Sequence, residues 1–257
     1  MFAKIVEYCR REGVSGFPDI RFIGAGGAPI DPNFKTLSQA LFGRVLQNGY
    51  GLTEAASICW TRFEDENVDD SVGRPLPGLE LSIRDINQQP SQPGKVGELW
   101  VRGPNVMQGY YRNPELTAQV LTADGWFNTQ DLARCGADGR LYIAGRTKDM
   151  ILRSGFNVYP LEVETALNTH PAVLQSAVVG HPVPGNEEVV AYVERVKNAN
   201  LDAEALRLHL AERLSPYKRP SHIVFVEQLP LAANGKVLKL ALPPLGPFVE
   251  DPKEFCP

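Results

Sequence analysis

One stretch of the chain combines turn signals, paired charges and a helix start within twenty residues. It is G-R-T-K-D-M-I-L-R-S-G-F-N-V-Y-P-L-E-V-E, residues 145–164. Pro160 suits the first turn of a helix, where its missing N–H has no partner, and the acidic residues after it complement the positive helix end. Residues 154–157 are expected to form a tight loop before this helix, because glycine and asparagine tolerate positive φ. The alternative interpretation is a polar turn between two domains.

The sequence before residue 60 predicts an α/β layer. Apolar residues at helical spacing predict a short helix that ends at Gly13, and a second apolar stripe follows a predicted helix cap at Asp31 and Pro32. Short strands are expected at 20–23 and 44–46, and each leads into a glycine-containing loop. The apolar faces consist of Phe2, Ile5, Val6 and Cys9 in the first helix and of Phe34, Leu37 and Leu41 in the second.

The pattern changes after residue 68. Alternating runs at 79–83 and 98–101 are separated by Gly- and Pro-rich turns, which is typical of a small antiparallel sheet or barrel. The pair Asp138-Gly139 predicts a hairpin between neighbouring strands. We therefore expect residues 1–147 to form the later part of a large domain, made of an α/β layer and a small β-barrel.

A compact α+β domain is expected at 150–240, with a Pro-rich tail at 241–257. Its predicted elements are a helix at 160–168, strands at 177–179, 189–196 and 223–226, and a helix capped by Asp202 with Leu206, Leu210 and Leu214 on one face.

Charge and cysteine content exclude several classes of protein. The net charge of -4 and the absence of a Lys- and Arg-rich stripe argue against nucleic-acid binding. The four cysteines are far apart, without a C-x-x-C spacing, so neither a zinc site nor a disulfide framework is indicated. The sequence shows no secretory signal and no window apolar enough to span a bilayer, and we expect a cytoplasmic protein.

Three short motifs could carry chemistry. Residues 49–54, G-Y-G-L-T-E, place an aromatic ring, a hydroxyl and a carboxylate that could stack a base, contact a phosphate and hold Mg²⁺. Asp131 could accept hydrogen bonds from two sugar hydroxyls. Lys236, on a glycine-containing loop, could neutralise charge between a carboxylate and a phosphate. Each motif also has a purely structural interpretation: a strand end with a buried tyrosine, a turn aspartate and a solvated loop lysine.

Together these motifs resemble the adenylate-forming family of acyl-CoA synthetases, luciferases and nonribosomal adenylation domains. The resemblance rests on G-G-A-P at 26–29, Y-G-L-T-E at 50–54, G-W-F-N-T-Q-D at 125–131, G-R-T-K-D-M-I at 145–151, S-G-F-N-V-Y-P-L-E-V-E at 154–164, Y-K-R-P at 217–220 and N-G-K at 234–236. The sequence of residues 148–160 resembles bacterial long-chain fatty-acid–CoA ligases in particular. The full set of motifs covers nearly the whole chain.

The resemblance implies a role for each matching residue. Tyr50 would stack on the adenine, and Gly26, Gly27 and Ala28 would form the backbone wall around it. Gly51 would also bind the nucleotide, and Asp131 and Arg146 would bind the ribose hydroxyls. Thr53 would contact the α-phosphate, Glu54 would hold Mg²⁺, and Lys236 would act in adenylation. Asp149 would be the hinge between the two domains, and Gly155 would belong to the loop that approaches the pantetheine of CoA.

The implied reaction is an ATP-dependent acid–thiol ligation in two steps. A carboxylic acid, expected to be a fatty acid, reacts with ATP to give an acyl-adenylate, and the thiol of CoA then displaces AMP. The alternatives are an enzyme that loads a carrier protein, and a non-catalytic binding or regulatory subunit that retains these residues.

Two departures from the family pattern qualify this expectation. Gln130 replaces the glycine of the usual T-G-D, which could restrict the backbone or crowd the nucleotide. The Ser/Thr/Gly-rich phosphate loop that ends in P-K-G is absent from this sequence. We therefore expect a C-terminal half of a ligase, which is either a truncated chain or is completed by a polypeptide with the N-terminal half or by self-association.

Overall fold

The structure, a computed structural model, describes residues 2–27, 30, 32–62, 64, 69–232 and 236–245. Its α-helices and β-strands include four separate sheets, which confirms the predicted mixed α/β and α+β class. Within these ranges, no helix has both the length and the apolar character that crossing a bilayer requires.

The first sheet contains four short strands in sequence order: β1 (Gly24–Gly26), β2 (Gln47–Leu52), β3 (Ala56–Trp60) and β4 (Arg74–Pro75). β1 pairs with β2 in parallel, and the other pairs are antiparallel. Helix α1 (Phe2–Glu12) precedes β1, and α2 (Pro32–Phe42) connects β1 to β2. As predicted, α1 ends before Gly13 and buries Val6 and Cys9. The Phe2 side chain and the predicted cap Asp31 lie outside the described residues.

Both parallel strands begin later than the sequence predicted. The runs 20–23 and 44–46 are not strands, since β1 begins at Gly24 and β2 at Gln47. Ile23 and Leu46 instead pack in an apolar cluster against the two helices. The ladder forms one step further along because the glycines let the two backbones and the Trp60 ring approach closely.

The predicted apolar face of α2 is partly wrong. Leu37 is 39% exposed, whereas Lys35 and Ser38 are buried. Burial of the ammonium is tolerated because Lys35 Nζ donates a hydrogen bond to the Asp69 carbonyl at 2.5 Å. Desolvation lowers the pKa of Lys35, and the nearby Asp69 charge opposes this shift. The helix therefore covers a polar cluster, which a pattern of apolar residues cannot reveal.

The second sheet is antiparallel. It contains β5 (Glu80–Arg84), β6 (Gly97–Arg102), β7 (Phe127–Cys135) and β8 (Leu141–Arg146) in that order. The predicted hairpin at Asp138-Gly139 joins β7 to β8 and is confirmed. The predicted barrel is not found, because β5 and β8 are the two edges of an open sheet in the described part of the chain.

Helix α3 (Pro114–Val120) lies between β6 and β7 and was missed by the sequence analysis. Asn113 caps it, since its side-chain oxygen accepts a hydrogen bond from the Leu116 amide at 3.0 Å. Asn followed by Pro at the first helical position is a recognised helix start, so the sequence did contain the signal.

The C-terminal part begins with the hairpin β9 (Ile151–Arg153) and β10 (Phe156–Val158), followed by α4 (Pro160–Asn168). The remaining elements are β11 (Val173–Val183), β12 (Asn186–Arg195), α5 (Ala203–Ala211) and β13 (His222–Val226), and the three strands form one sheet in that order.

Both helices of this part occur where the sequence predicted them. The Asp202 carboxylate caps α5 by accepting from the Ala205 amide at 2.8 Å, and Leu206, Leu210 and Leu214 are buried in one apolar cluster. The strands β11 and β12 are longer than predicted. A 3₁₀ turn, Lys239–Ala241, is the last regular element among the described residues, and residues 246–257 of the predicted tail lie outside them.

Candidate active site

The motif Y-G-L-T-E forms the end of β2 and the turn that leads into β3. The β2–β3 ladder shifts register between Tyr50 and Gly51, so the two backbones crowd each other there. A Cβ atom added at Gly51 would lie 2.1 Å from the Ala56 carbonyl oxygen. Only glycine fits this position, and the motif glycine is therefore required by the close approach of the two strands.

Asp131 is at the centre of the candidate site. Its Oδ2 accepts a hydrogen bond from the Tyr50 hydroxyl at 2.5 Å, and its Oδ1 lies 3.0 Å from Arg146 Nε. Asp131 and Arg146 face each other as a cross-strand pair of β7 and β8. Residues 50, 131 and 146, far apart in sequence, thus meet around one carboxylate that is 6% exposed.

Burial controls the protonation of both members of the Tyr50–Asp131 hydrogen bond. Desolvation raises the pKa of Asp131, while the hydrogen bond from Tyr50 and the charges of Arg146 and Lys236 oppose this effect. Desolvation also raises the pKa of Tyr50, and the negative charge of Asp131 adds to that shift. The tyrosine therefore stays a neutral donor toward the carboxylate.

A bulge in β7 presents Asp131 to Tyr50. The Thr129 hydroxyl donates to the Leu99 carbonyl at 2.8 Å and accepts from the Asp131 amide at 3.1 Å. Gln130, which replaces the family's glycine, has φ 58° and an exposed side chain. Of the two effects expected from this replacement, the restriction of the backbone is seen. The backbone has the left-handed conformation that favours glycine, and Gln130 adopts it at a cost in strain. The Asn128 side-chain oxygen accepts from the Gln130 amide at 2.8 Å and supports the bulge.

Glu54 and Thr53 lie in the turn between β2 and β3. The Glu54 carboxylate accepts a hydrogen bond from the Tyr110 hydroxyl at 3.0 Å through Oε1, and in the described part of the chain Oε2 has no hydrogen-bond donor. Thr53 is exposed. No group of three or more His, Cys, Asp or Glu side chains that could hold a metal occurs among the described residues. A single fixed carboxylate suits Mg²⁺, which binds through one or two carboxylates, phosphates and water.

The glycine-rich segment runs beside Tyr50. Gly26 pairs with Gly49 of β2, and a Cβ atom at Gly26 would lie 3.0 Å from the Gly49 carbonyl oxygen. Gly27 follows with φ 81°. These two residues leave bare backbone next to the β2 end, as a planar ligand would need. Ala28, the third predicted residue of this wall, lies outside the described residues.

Lys236, Asp149 and Gly155 belong to the C-terminal part of the site. Lys236 is exposed, its carbonyl accepts from the Ala232 amide at 2.8 Å, and its charge reaches Asp131. Asp149 ends a 3₁₀ turn directly after β8. Gly155 has φ 81° in the β9–β10 turn and lines a small cleft with Asn186 and Glu187. The charge of Lys236 thus acts on Asp131, whereas the hydrogen bonds described beside Gly155 join its turn to the β11–β12 hairpin.

Sequence reasoning missed the residues that support Glu54. Tyr110, Met107 and Asn105 all bond to the 54–57 turn. The available signal was the run N-V-M-Q-G-Y, residues 105–110, after a predicted strand. It places a side-chain amide, a backbone N–H and a phenol hydroxyl, all hydrogen-bond donors, in one loop.

The sequence matches two family models. The model described as AMP-binding enzyme matches residues 1–111, and the model described as AMP-binding enzyme C-terminal domain matches residues 162–236. Together they cover most of the chain.

Curated relatives are CoA ligases. The chain is 39% identical over 227 residues to a long-chain-fatty-acid–CoA ligase of Yersinia pestis, a match that covers 88% of this chain and 40% of the relative. It is 37% identical over 226 residues to a sulfoacetate–CoA ligase of Cupriavidus necator, covering 87% and 44%. The chain thus spans less than half the length of these relatives.

A solved structure with the same fold is ATP-bound MatB from Rhodopseudomonas palustris. It superposes with a TM-score of 0.81 at 34% identity, covering 86% of this chain and 44% of that chain. Apo MatB, with the same coverage of both chains, superposes with a TM-score of 0.70. The present arrangement is therefore nearer to the ATP-bound form of that protein.

Proposed function

Because the chain belongs to the AMP-binding enzyme family, we propose that it provides the nucleotide-binding and lysine-bearing part of an ATP-dependent carboxylate–CoA ligase. The proposed reaction joins a carboxylic acid to AMP with release of pyrophosphate, and the CoA thiol then displaces AMP. A fatty acid is the acid class that we propose, supported by the name of the Yersinia relative. The sulfoacetate relative shows that acids differ within this group of proteins.

The observation that carries the proposal is the meeting of Tyr50, Asp131, Arg146 and the Lys236 charge. A carboxylate has about four lone-pair positions, and the bonds from Tyr50 and Arg146 use two of them. Asp131 can therefore still accept hydrogen bonds from two ribose hydroxyls. The nearby ammonium of Lys236 would then neutralise charge where the acid carboxylate meets the α-phosphate, an encounter of two anions.

Magnesium and CoA would occupy the other two predicted places. Glu54 would hold Mg²⁺, which supplies positive charge to the phosphates, and Thr53 would contact the α-phosphate. Gly155 would approach the pantetheine of CoA after the C-terminal part turns about Asp149, a hinge rearrangement between two states. The higher superposition score with ATP-bound than with apo MatB supports the present arrangement as the one for adenylation.

The proposal includes a second component. We propose that the N-terminal half of a ligase, on the same polypeptide or on a separate one, supplies the phosphate loop that ends in P-K-G, which is not in this sequence. Self-association of the chain is the alternative, in which the site would act without that loop. A cytoplasmic location is also proposed, supported by the free thiols of Cys9, Cys59 and Cys135, since a reducing compartment keeps thiols free.

Carboxylate-dependent exchange of labelled pyrophosphate into ATP tests the first step. It would be measured on the chain alone and with the N-terminal half of a relative, across short to long fatty acids and aryl acids. We expect exchange in at least one of these two forms. Exchange in neither form, with any acid, would contradict the ligase proposal and favour the non-catalytic alternative.

Lys236→Ala tests the role of the lysine. It should slow adenylation about 100-fold or more, the typical effect of removing one charge-stabilising group, and largely spare thioester formation from supplied acyl-adenylate. Lys95→Ala, at an exposed lysine in the turn before β6, is the matched control and should change neither step. Equal loss of both steps in Lys236→Ala would remove the lysine from this role. Product on a carrier protein, but none with free CoA, would select the carrier-loading alternative.

A further inference from the structure

The turn between β2 and β3 is strained at Ala56. This residue has φ 46°, a backbone conformation that costs a residue with a side chain free energy and is rarely adopted without support. The strain lies two residues after Glu54, the predicted metal ligand. Something in the structure must therefore hold the turn in place.

Asn105 holds both sides of the strained residue. Its side-chain Nδ2 donates to the Ala55 carbonyl at 2.6 Å and to the Ser57 carbonyl at 2.9 Å. These two carbonyls flank Ala56, so one amide group restrains the backbone on each side of it. The Asn105 side-chain oxygen is buried without a hydrogen-bond partner among the described residues, so the side-chain hydrogen bonds of Asn105 described here are the two to the turn.

The same loop also holds Glu54 at two points. The Met107 amide donates to the Glu54 carbonyl at 2.7 Å, and the Tyr110 hydroxyl donates to Glu54 Oε1 at 3.0 Å. The Tyr110 backbone is fixed in turn, because its amide donates to the Thr117 hydroxyl of α3 at 2.9 Å. Glu54 is thus restrained at its main chain and at its carboxylate by one loop that is anchored on a helix.

We infer that residues 105–110 form a positioning loop for the Thr53–Glu54 turn, and that Tyr110 aims the Glu54 carboxylate at the metal-bound phosphates. The metal-directed part rests on the proposed function. With one oxygen bound by Tyr110, the other oxygen of Glu54 is left to face a cation.

Amide hydrogen exchange of the chain without nucleotide tests the positioning part. Tyr110→Phe should speed exchange of the Met107 amide about tenfold, since one charge-assisted hydrogen bond is lost from the loop. Tyr111→Phe is the matched control, because Tyr111 is adjacent in sequence and 85% exposed. Thermal unfolding of both variants verifies the fold. If Met107 exchanges in Tyr110→Phe as it does in Tyr111→Phe, the positioning role of Tyr110 is refuted.

A double-mutant cycle tests the restraint of Ala56. Asn105→Ala should speed exchange of the Met107 amide about tenfold or more, because two carbonyls lose their donor and the strained turn opens. Ala56→Gly relieves the strain, so Asn105→Ala should have a smaller effect in the Ala56→Gly background. Additive effects of the two substitutions would overturn the role of Asn105.

Binding of Mn²⁺ in the presence of ATP, followed by the electron paramagnetic resonance signal of the free ion, tests the metal-directed part. Tyr110→Phe should weaken Mn²⁺ affinity about tenfold, Glu54→Gln at least as much, and Tyr111→Phe not at all. Wild-type affinity in Tyr110→Phe would refute this part. If the wild-type chain binds no Mn²⁺ with ATP, both alone and with the N-terminal half of a relative, the proposed function fails, and the exchange results still decide whether the loop positions the turn.

Discussion

Removing one hydroxyl group tests the centre of the candidate site. In Tyr50→Phe the Asp131 carboxylate keeps its ion pair with Arg146 but loses the 2.5 Å hydrogen bond from Tyr50. A hydrogen bond to a charged group contributes about 1.5–3 kcal/mol, and Asp131 is too buried for water to replace the lost donor. We therefore expect a loss of about 2 kcal/mol in the free energy of unfolding at pH 8.

This loss should depend on pH. Burial raises the pKa of Asp131 above its usual 3.8. Folding favours the protonated form of a carboxyl group whose pKa it raises. Such a group therefore adds to the free energy of unfolding at low pH, and this contribution is lost as the pH rises through the raised pKa. The Tyr50 bond opposes this disappearance by stabilising the ionised form. Loss of the Tyr50 hydrogen bond should therefore lower the free energy of unfolding by about 2 kcal/mol above the raised pKa. Below that pKa it should lower it by only about 0.5–1.5 kcal/mol, the range for a hydrogen bond between neutral groups.

Urea unfolding of the wild type and Tyr50→Phe from pH 4 to pH 8 measures this difference. In an Asp131→Asn background, Tyr50→Phe should have a small and pH-independent effect, because no charge remains to be stabilised. Tyr111→Phe, at an exposed position, controls for loss of a phenol. A Tyr50→Phe effect that stays constant with pH, or that is equally large in the Asp131→Asn background, would refute this reasoning.

Two further substitutions test local features. Gln130→Gly should raise the free energy of unfolding by about 0.5–1 kcal/mol, because glycine adopts φ 58° without strain and this gain exceeds the added entropy of the unfolded chain. A lower free energy of unfolding in urea for this variant would show that the bulge does not strain Gln130. Asp202→Ala should lower it by about 1 kcal/mol through loss of the α5 cap, and Asp202→Asn, which retains a capping oxygen, should recover most of that loss. Equal losses in the two Asp202 variants would contradict the capping role.

Elements specified by local chemistry could be predicted well. Helix α4 begins at Pro160 and α5 is capped by Asp202, as the sequence indicated, because first-turn proline and a capping carboxylate act within a few residues. The hairpin at Asp138-Gly139 is of the same kind. The motifs also named Tyr50, Asp131, Arg146 and Lys236 as site residues; in the structure Tyr50 and Arg146 contact the Asp131 carboxylate directly, and the charge of Lys236 acts on it. Their roles in binding and catalysis stay predictions.

Features set by packing between distant segments could not be predicted. The buried Lys35 depends on a carbonyl of residue 69, and the late start of β1 and β2 depends on the approach of the Trp60 ring to glycine backbone. The support of Glu54 by Tyr110 joins residues far apart in the chain. Local sequence determines helix ends and turns because their hydrogen bonds close over a few residues. Tertiary structure alone decides which buried polar groups find partners, since unpaired burial costs more than any local preference supplies.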